Sequence, residues 1–158
     1  MDGAEAVLNN RLEQIKRLTQ IGVALSAERN LDKLLEAIID EARRVTGADG
    51  GTLYILSEDE TELHFAIVQN DTLHVRMGGT GDRISWPPVK LHAADHSENR
   101  SQVSAYAALT ANVVNIADVY DAEGFNFEGT RLFDAQTGYR SKSMLVVPMR
   151  NHENEIIG

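Results

Sequence analysis

The sequence predicts an α+β domain: a central antiparallel sheet of about six strands, N-terminal helices packed on one face, and loops with short helices on the other. Three observations predict it. Apolar residues recur at three- and four-residue spacing as far as Val45, and the period shortens to two from Gly51. Near the end, a polar, Gly-punctuated segment is delivered onto the apolar run Met144-Leu145-Val146-Val147-Pro148-Met149. A chain of 158 residues supplies one core, so a single fold has to account for all of it.

The first helix is read from Leu8, Leu12, Ile15, Leu18, Ile21 and Leu25, a narrow stripe separated by polar residues such as Glu13-Gln14 and Lys16-Arg17. Residues 1–29 are therefore expected to form a dimerisation or signalling helix ahead of the domain proper at 30–158. Asn30 can cap a second helix with a broader face, Leu31, Leu34, Leu35, Ile38, Ile39, Ala42 and Val45, and Gly47 is a natural stop. That broader face suits packing on a sheet, whereas the thin stripe suits either the same sheet or a second copy of the helix. Thr52–Leu56 and Leu63–Val68 read as a hairpin around the charged tip Ser57–Thr61, with Thr72–Arg76 as a third run. From Gly78 to Asn99 periodicity is lost, and Trp86-Pro87-Pro88 marks a long connection. A helix is expected from Ser101 to Leu109, a short strand at Val113–Ile116, and then loop from Asp118 to Thr137 with one helical turn near Arg131–Ala135. Ser143–Met149 is the next strand, and Asn151–Asn154 turns into a last one at Glu155. That last strand reaches only Gly158, which suggests a C-terminally truncated domain.

Composition removes several function classes. Fifteen Lys and Arg stand against 24 acids, a net charge of −9 that disfavours nucleic acid and anionic membrane surfaces as partners. The absence of cysteine excludes disulfides, thiol catalysis, iron–sulfur ligation and a thioether-tethered chromophore. Met1-Asp2-Gly3-Ala4-Glu5 lacks the basic and apolar regions of a signal peptide, and a cytoplasmic location is expected. His92-Ala93-Ala94-Asp95-His96 has the spacing of a helical metal pair, but its surroundings read as loop and a third ligand is not apparent, so no metal is expected. Gly78-Gly79-Thr80-Gly81 lacks the Lys-Thr and helix of a phosphate loop.

The order of elements, together with Ala48-Asp49, Val113-Val114-Asn115-Ile116-Ala117-Asp118, Thr137-Gly138-Tyr139, Lys142–Met149 and Glu155-Ile156-Ile157-Gly158, resembles GAF domains over nearly the full chain. The C-terminal block is similar to the GAF domains of cyclic-nucleotide phosphodiesterases and bacterial adenylate cyclases. Glu123–Phe127 with Gly129-Thr130-Arg131 and Phe133-Asp134 resembles those of bacterial signalling proteins, including HD-GYP phosphodiesterases. The resemblance implies a GAF fold and a regulatory, non-catalytic domain of a larger cytosolic protein. Its downstream effector would be an HD-GYP-type phosphodiesterase, a cyclase or a kinase.

In cyclic-nucleotide-binding members an Asp and a Thr from the loop before the strand contact the ligand. The matching positions here are Asp134 and Thr137, with Ser141 as a further hydroxyl. Phe125 and Phe127 are candidates to stack on a planar ligand, and Trp86 to act as a lid over the pocket, against core roles for the same side chains. The expected function is small-molecule sensing, with a cyclic nucleotide as one candidate ligand. In this scheme ligand orders the 118–141 segment and shifts the terminal helices of a homodimer. The alternative is a ligand-free module that serves dimerisation and relay. A 118–141 flap collapsed on solid side-chain filling, with no void behind it, would end the sensor reading.

Overall fold

The computed structural model describes residues 3–158, without the side-chain surroundings of residues 3–6 and Asn10. Met1 and Asp2, which open the expected N-terminal helix, lie outside the described residues. Two helices come first, α1 (Gly3–Ala27) and α2 (Leu31–Thr46), as their periodicity predicts. Asn30 caps α2 by accepting the Lys33 N–H at 3.0 Å, and Gly47 ends it in the left-handed region at φ 68°. β1 (Gly50–Leu56) and β2 (Glu62–Asn70) form the expected hairpin, with a bulge after Leu53 that brings Tyr54 opposite Phe65. Their rings lie 4.7 Å apart.

The third strand starts later than its sequence suggests. β3 (Val75–Gly78) pairs with the end of β2, because 71–74 is spent on a turn: Asn70 Oδ1 accepts the Leu73 N–H, and His74 is left-handed at φ 52°. Nor is the connection that follows featureless. Val89 and Lys90 form a two-residue strand, β4, on the opposite end of β2.

Next come α3 (Val103–Thr110), β5 (Val114–Ile116), α4 (Glu128–Thr137) and β6 (Met144–Val146). α4 is a correction to the single turn read from the sequence. It is ten residues long, but its Leu132 is exposed and Phe133 half-buried, so it carries little apolar periodicity to read. Asn126 Oδ1 receives the Glu128 N–H at 2.8 Å, and Gly138 closes the other end by donating to Asp134 O. β6 is shorter than the predicted 143–149, since Pro148 offers no N–H to a ladder. Pairing resumes at Met149, which exchanges bonds with Ile157 and Gly158, and Ile157 O in turn receives the Leu56 N–H at 3.0 Å. The six strands thus fall into two sheets where one was expected, β1–β2–β3 with β4 on β2, and β5–β6, and residues 157–158 hydrogen-bond between Leu56 and Met149.

The faces of the scaffold are separately filled. Ile39, Leu53 and Ile67 are buried together beneath α2, whereas Leu63, Leu91, Ala105 and Ala108 pack between sheet and α3 on the other face. Tyr54 lies against this second cluster, and burial pushes its phenol up to about 12. A third cluster, Val103, Ala107, Val114, Ile116, Val119 and Phe127, joins α3 to β5. α2 is the helix that packs on the sheet. α1 does not share it: Leu8, Leu12, Ile15 and Leu18 remain 46–60% exposed, with partial cover only at Ile21 and Leu25. No helix among the described residues is long and apolar enough to cross a membrane.

Candidate functional site

The 118–141 segment runs from β5 to the loop before β6 and carries five of the six candidate ligand residues. Asp134 faces inward from α4 and is 4% exposed. Its Oδ1 accepts the Ser141 hydroxyl at 2.8 Å, and its Oδ2 accepts the Ser141 N–H at 2.8 Å and the Tyr120 hydroxyl at 2.9 Å. Three donors on one buried carboxylate form a latch that ties α4 to both ends of the segment. The Asp134 carboxylate is also the main reason the Tyr120 phenol is raised above its ordinary value. The ring of Tyr120 carries the Arg140 guanidinium 3.7 Å from its centroid and that of Arg131 at 5.5 Å. Arg140 also faces Asp118 at 3.4 Å, whose carboxyl is lowered first by the Tyr120 N–H and then, more weakly, by Arg140.

Of the sequence-predicted residues, the structure brings Asp134 and Ser141 into direct contact. Thr137 is exposed one turn further along α4, and its hydroxyl donates to Phe133 O at 2.8 Å. Phe127 is 4% exposed inside the α3–β5 core, so its ring is spent on packing. Phe125 is half-buried beside it, edge-on to Tyr106 at 5.3 Å and to Phe127 at 6.2 Å. Trp86 stands apart on the β3–β4 connection at 39% exposure. It bridges Phe65 of the sheet, 5.3 Å away, and Phe133 of α4, 6.3 Å away. Phe125, Phe127 and Trp86 are thus each engaged with the protein's own side chains.

Two cavities are found on the described residues, and the larger reaches the segment at Asn126. One, of about 520 Å³, is lined by Lys90, His92, Asn99, Gln102 and Asn126 at the start of α3. The stretch His92–His96 beside it is a turn and not a helix: Asp95 receives the N–H and hydroxyl of Ser97, and His96 is left-handed at φ 65°. The second, about 110 Å³, lies between α2 and the Gly78–Gly81 loop. There Glu36 accepts the N–H and hydroxyl of Thr80, the N–H being the larger reason its carboxyl is lowered. Gly79 sits at φ 57°, where a Cβ would meet that carboxylate at 2.4 Å. The loop is a fastener for α2.

Sequence reasoning missed Tyr120, Arg140, Tyr139 and Asp49 as working parts. The Tyr139 hydroxyl donates to Asp49 Oδ2 at 2.7 Å, 90 residues away in the chain. A signal was present: a polar-tipped aromatic on each side of α4, and an Asp two residues past the helix-ending Gly47. What periodicity does not supply is the pairing between them.

Comparison with known proteins follows the same lines. The family model described as "GAF domain" matches residues 30–158. The chain is 24% identical over 123 residues to a probable 3',5'-cyclic phosphodiesterase, pde-5, of Caenorhabditis elegans, covering 76% of this chain and 15% of that protein. With the dual 3',5'-cyclic-AMP and -GMP phosphodiesterase 11 of Drosophila melanogaster it shares 36% identity over 56 residues, 35% of this chain and 4% of that one. In structure it is similar to the GAF domain of an Acinetobacter phosphoenolpyruvate-protein phosphotransferase. That likeness has a TM-score of 0.61 at 14% identity and covers 92% of this chain and 73% of that one, which speaks to the fold alone.

Proposed function

The chain belongs to the GAF domain family, and from that membership we propose that it is a regulatory, non-catalytic module of a larger cytoplasmic signalling protein, relaying a conformational state through paired α1 helices to an effector domain. Family membership supports the regulatory part, as does similarity to phosphodiesterases of which the chain spans 15% and 4%. An effector of phosphodiesterase type, HD-GYP or otherwise, fits those relatives; a cyclase or kinase is the other option.

One observation carries the relay reading. α1 presents Leu8, Leu12, Ile15 and Leu18 to solvent at the spacing of a helix seam, while residues 28–30 tie it closely to the packed helix α2. A second copy of the helix is the partner that such a stripe fits, and rotation of α2 on the sheet is then felt by the pair. Sedimentation tests it. A dimer that Leu18→Asp converts to monomer supports the relay, and a monomeric wild-type chain ends it.

A second reading adds a ligand, and the construction of the flap favours it. α4 is held by a hydrogen-bonded latch at Asp134, and Trp86 stays partly exposed over Phe65 and Phe133. Opening the latch would release a buried carboxylate and two hydroxyls beside aromatic faces, groups suited to a planar ligand with hydrogen-bonding edges, such as a cyclic nucleotide. Because Asp134 is buried and hydrogen-bonded while the latch is closed, such a ligand has to displace its donors, and the apparent affinity falls by the fraction of open flap. Titration calorimetry with cyclic AMP and cyclic GMP, repeated on Asp134→Ala, separates the readings. Heat from the wild type that the variant loses supports sensing; no heat and no thermal shift leave the relay without ligand.

A further inference from the structure

Tyr139 and Asp49 connect two parts of the molecule that have separate roles. Tyr139 follows Gly138, which ends α4, and precedes Ser141 of the Asp134 latch by two residues. Asp49 lies two residues beyond Gly47, which ends α2. It works as a junction. Its Oδ2 accepts the Tyr139 hydroxyl at 2.7 Å, and its Oδ1 accepts the N–H and hydroxyl of Thr72 at 3.3 and 2.9 Å. Its carbonyl oxygen accepts the Asp71 N–H at 3.0 Å and an Arg43 guanidinium N–H at 2.8 Å.

Arg43 belongs to the last turn of α2 and is 7% exposed. Besides Asp49 it reaches Gln69 Oε1 at 3.0 Å and Asp71 Oδ2 at 2.5 Å, while its buried Nε has no partner. Gly51 allows this arrangement, since a Cβ there would meet Arg43 Cγ and Cδ at 3.0 Å. A buried cation with fixed acceptors holds the last turn of α2 to the Asp49 carbonyl, so displacement of Asp49 is passed to the helix. The short distance from flap to Asp49 is spanned by one side chain.

We propose that the Tyr139–Asp49 hydrogen bond is the link by which the open or latched state of the 118–141 flap reaches the C-terminal end of α2. It deepens the relay reading, and it stands on the contact between loop and helix, not on ligand identity. When the latch holds, Ser141 is fixed, Tyr139 is aimed, and Asp49 is drawn toward the flap. When the latch opens, Tyr139 leaves, and Asp49 retains only its contacts to Thr72, Asp71 and Arg43. Asp49's carboxyl is held below its ordinary range first by Tyr139, consistent with Tyr139 being its strongest side-chain donor.

Amide exchange in a double-mutant cycle tests the link in the ligand-free chain. Asp134→Asn should raise exchange in the last turn of α2 by about tenfold, the change expected from loss of one hydrogen bond to a charged group. With Tyr139→Phe already present, α2 should be loosened to a similar degree and Asp134→Asn should add little. The amides of α3, which the link does not touch, should stay protected throughout. Additive effects at α2, an α2 indifferent to Asp134→Asn, or a matching rise in α3 would each overturn the proposal. Should Asp134→Asn fail to fold, Tyr120→Phe removes one latch donor and runs the same cycle. Exchange at α2 is read whether or not α1 pairs, so failure here is distinct from a monomeric result in sedimentation.

Discussion

α1 and α2 both carry leucines and isoleucines at helical spacing and end up in opposite situations. α2 is fastened at four places: Ile39 is buried over Leu53 and Ile67, Glu36 holds the Thr80 loop, Asp40 pairs with Arg76 of β3 at 3.1 Å, and Arg43 is locked into the Asp49–Gln69–Asp71 cluster. α1 has nothing comparable among the described residues. The side-chain hydrogen bonds described on it, Lys16 to Glu13, Thr19 to Ile15 O and Ser26 to Gly22 O, stay within the helix, and Leu8, Leu12 and Leu18 face solvent. The difference teaches that an apolar stripe fixes which face of a helix seeks cover but not which molecule supplies it. Width decides part of this. The broad face of α2 matches a sheet, and the narrow stripe of α1 matches another helix.

The largest expected effect breaks the comparison at the buried helix. Ile39→Ala should lower unfolding free energy by about 2–5 kcal/mol, because the cavity opens between α2 and two sheet residues that cannot close it. Urea denaturation measures this, and a loss below roughly 1 kcal/mol would mean that α2 is no better seated than α1.

A smaller effect sharpens the polar end of α2. Asp49's carboxyl is lowered chiefly by the Tyr139 hydroxyl and then by Thr72, with Arg43 contributing least. A carboxyl whose folded pKa lies below its unfolded value of about 4 adds stability above that value and loses it as pH falls through the folded pKa. The melting-temperature advantage of wild type over Tyr139→Phe should therefore be complete near about pH 6 and narrow as pH drops below about 4. A gap that stays constant with pH would show that Tyr139 does not act through the Asp49 charge.

The smallest effect on fold stability belongs to α1. Leu18→Asp, at a position 59% exposed, should change the unfolding free energy of the domain by no more than about 0.5 kcal/mol while abolishing dimerisation. A large destabilisation of the folded domain would place Leu18 in contact with its own chain.

Much of the fold was legible. The helices of the N-terminal third, the β1–β2 hairpin and α3 follow from period, capping residues and turn chemistry, each of which acts over a few residues. The misses share a cause. α4 is carried by its ends and by Asp134, not by an apolar stripe; β4 is two residues long and exists because β2 has a free edge; β3 begins late because a side chain, Asn70, holds the turn before it. At the candidate site, the sequence indicated a polar segment ahead of a stiff strand, and the family resemblance selected Asp134, Thr137 and Ser141 from it, of which Asp134 and Ser141 meet while Thr137 bonds within α4. Their partner Tyr120 and the separate bond from Tyr139 to Asp49 were not legible, because neither pairing leaves a periodic trace.

Charge balance, absence of thiols, helix faces and strand alternation were determined by sequence alone, since each is a sum over residues or a property of neighbours a few positions apart. Only the tertiary structure decided that Phe127 is core, that Asp134 is a latch, and that Tyr139 touches the end of α2. Those outcomes depend on which buried donors and acceptors find each other once distant segments are packed, and burial makes such pairing obligatory without specifying the partner in advance.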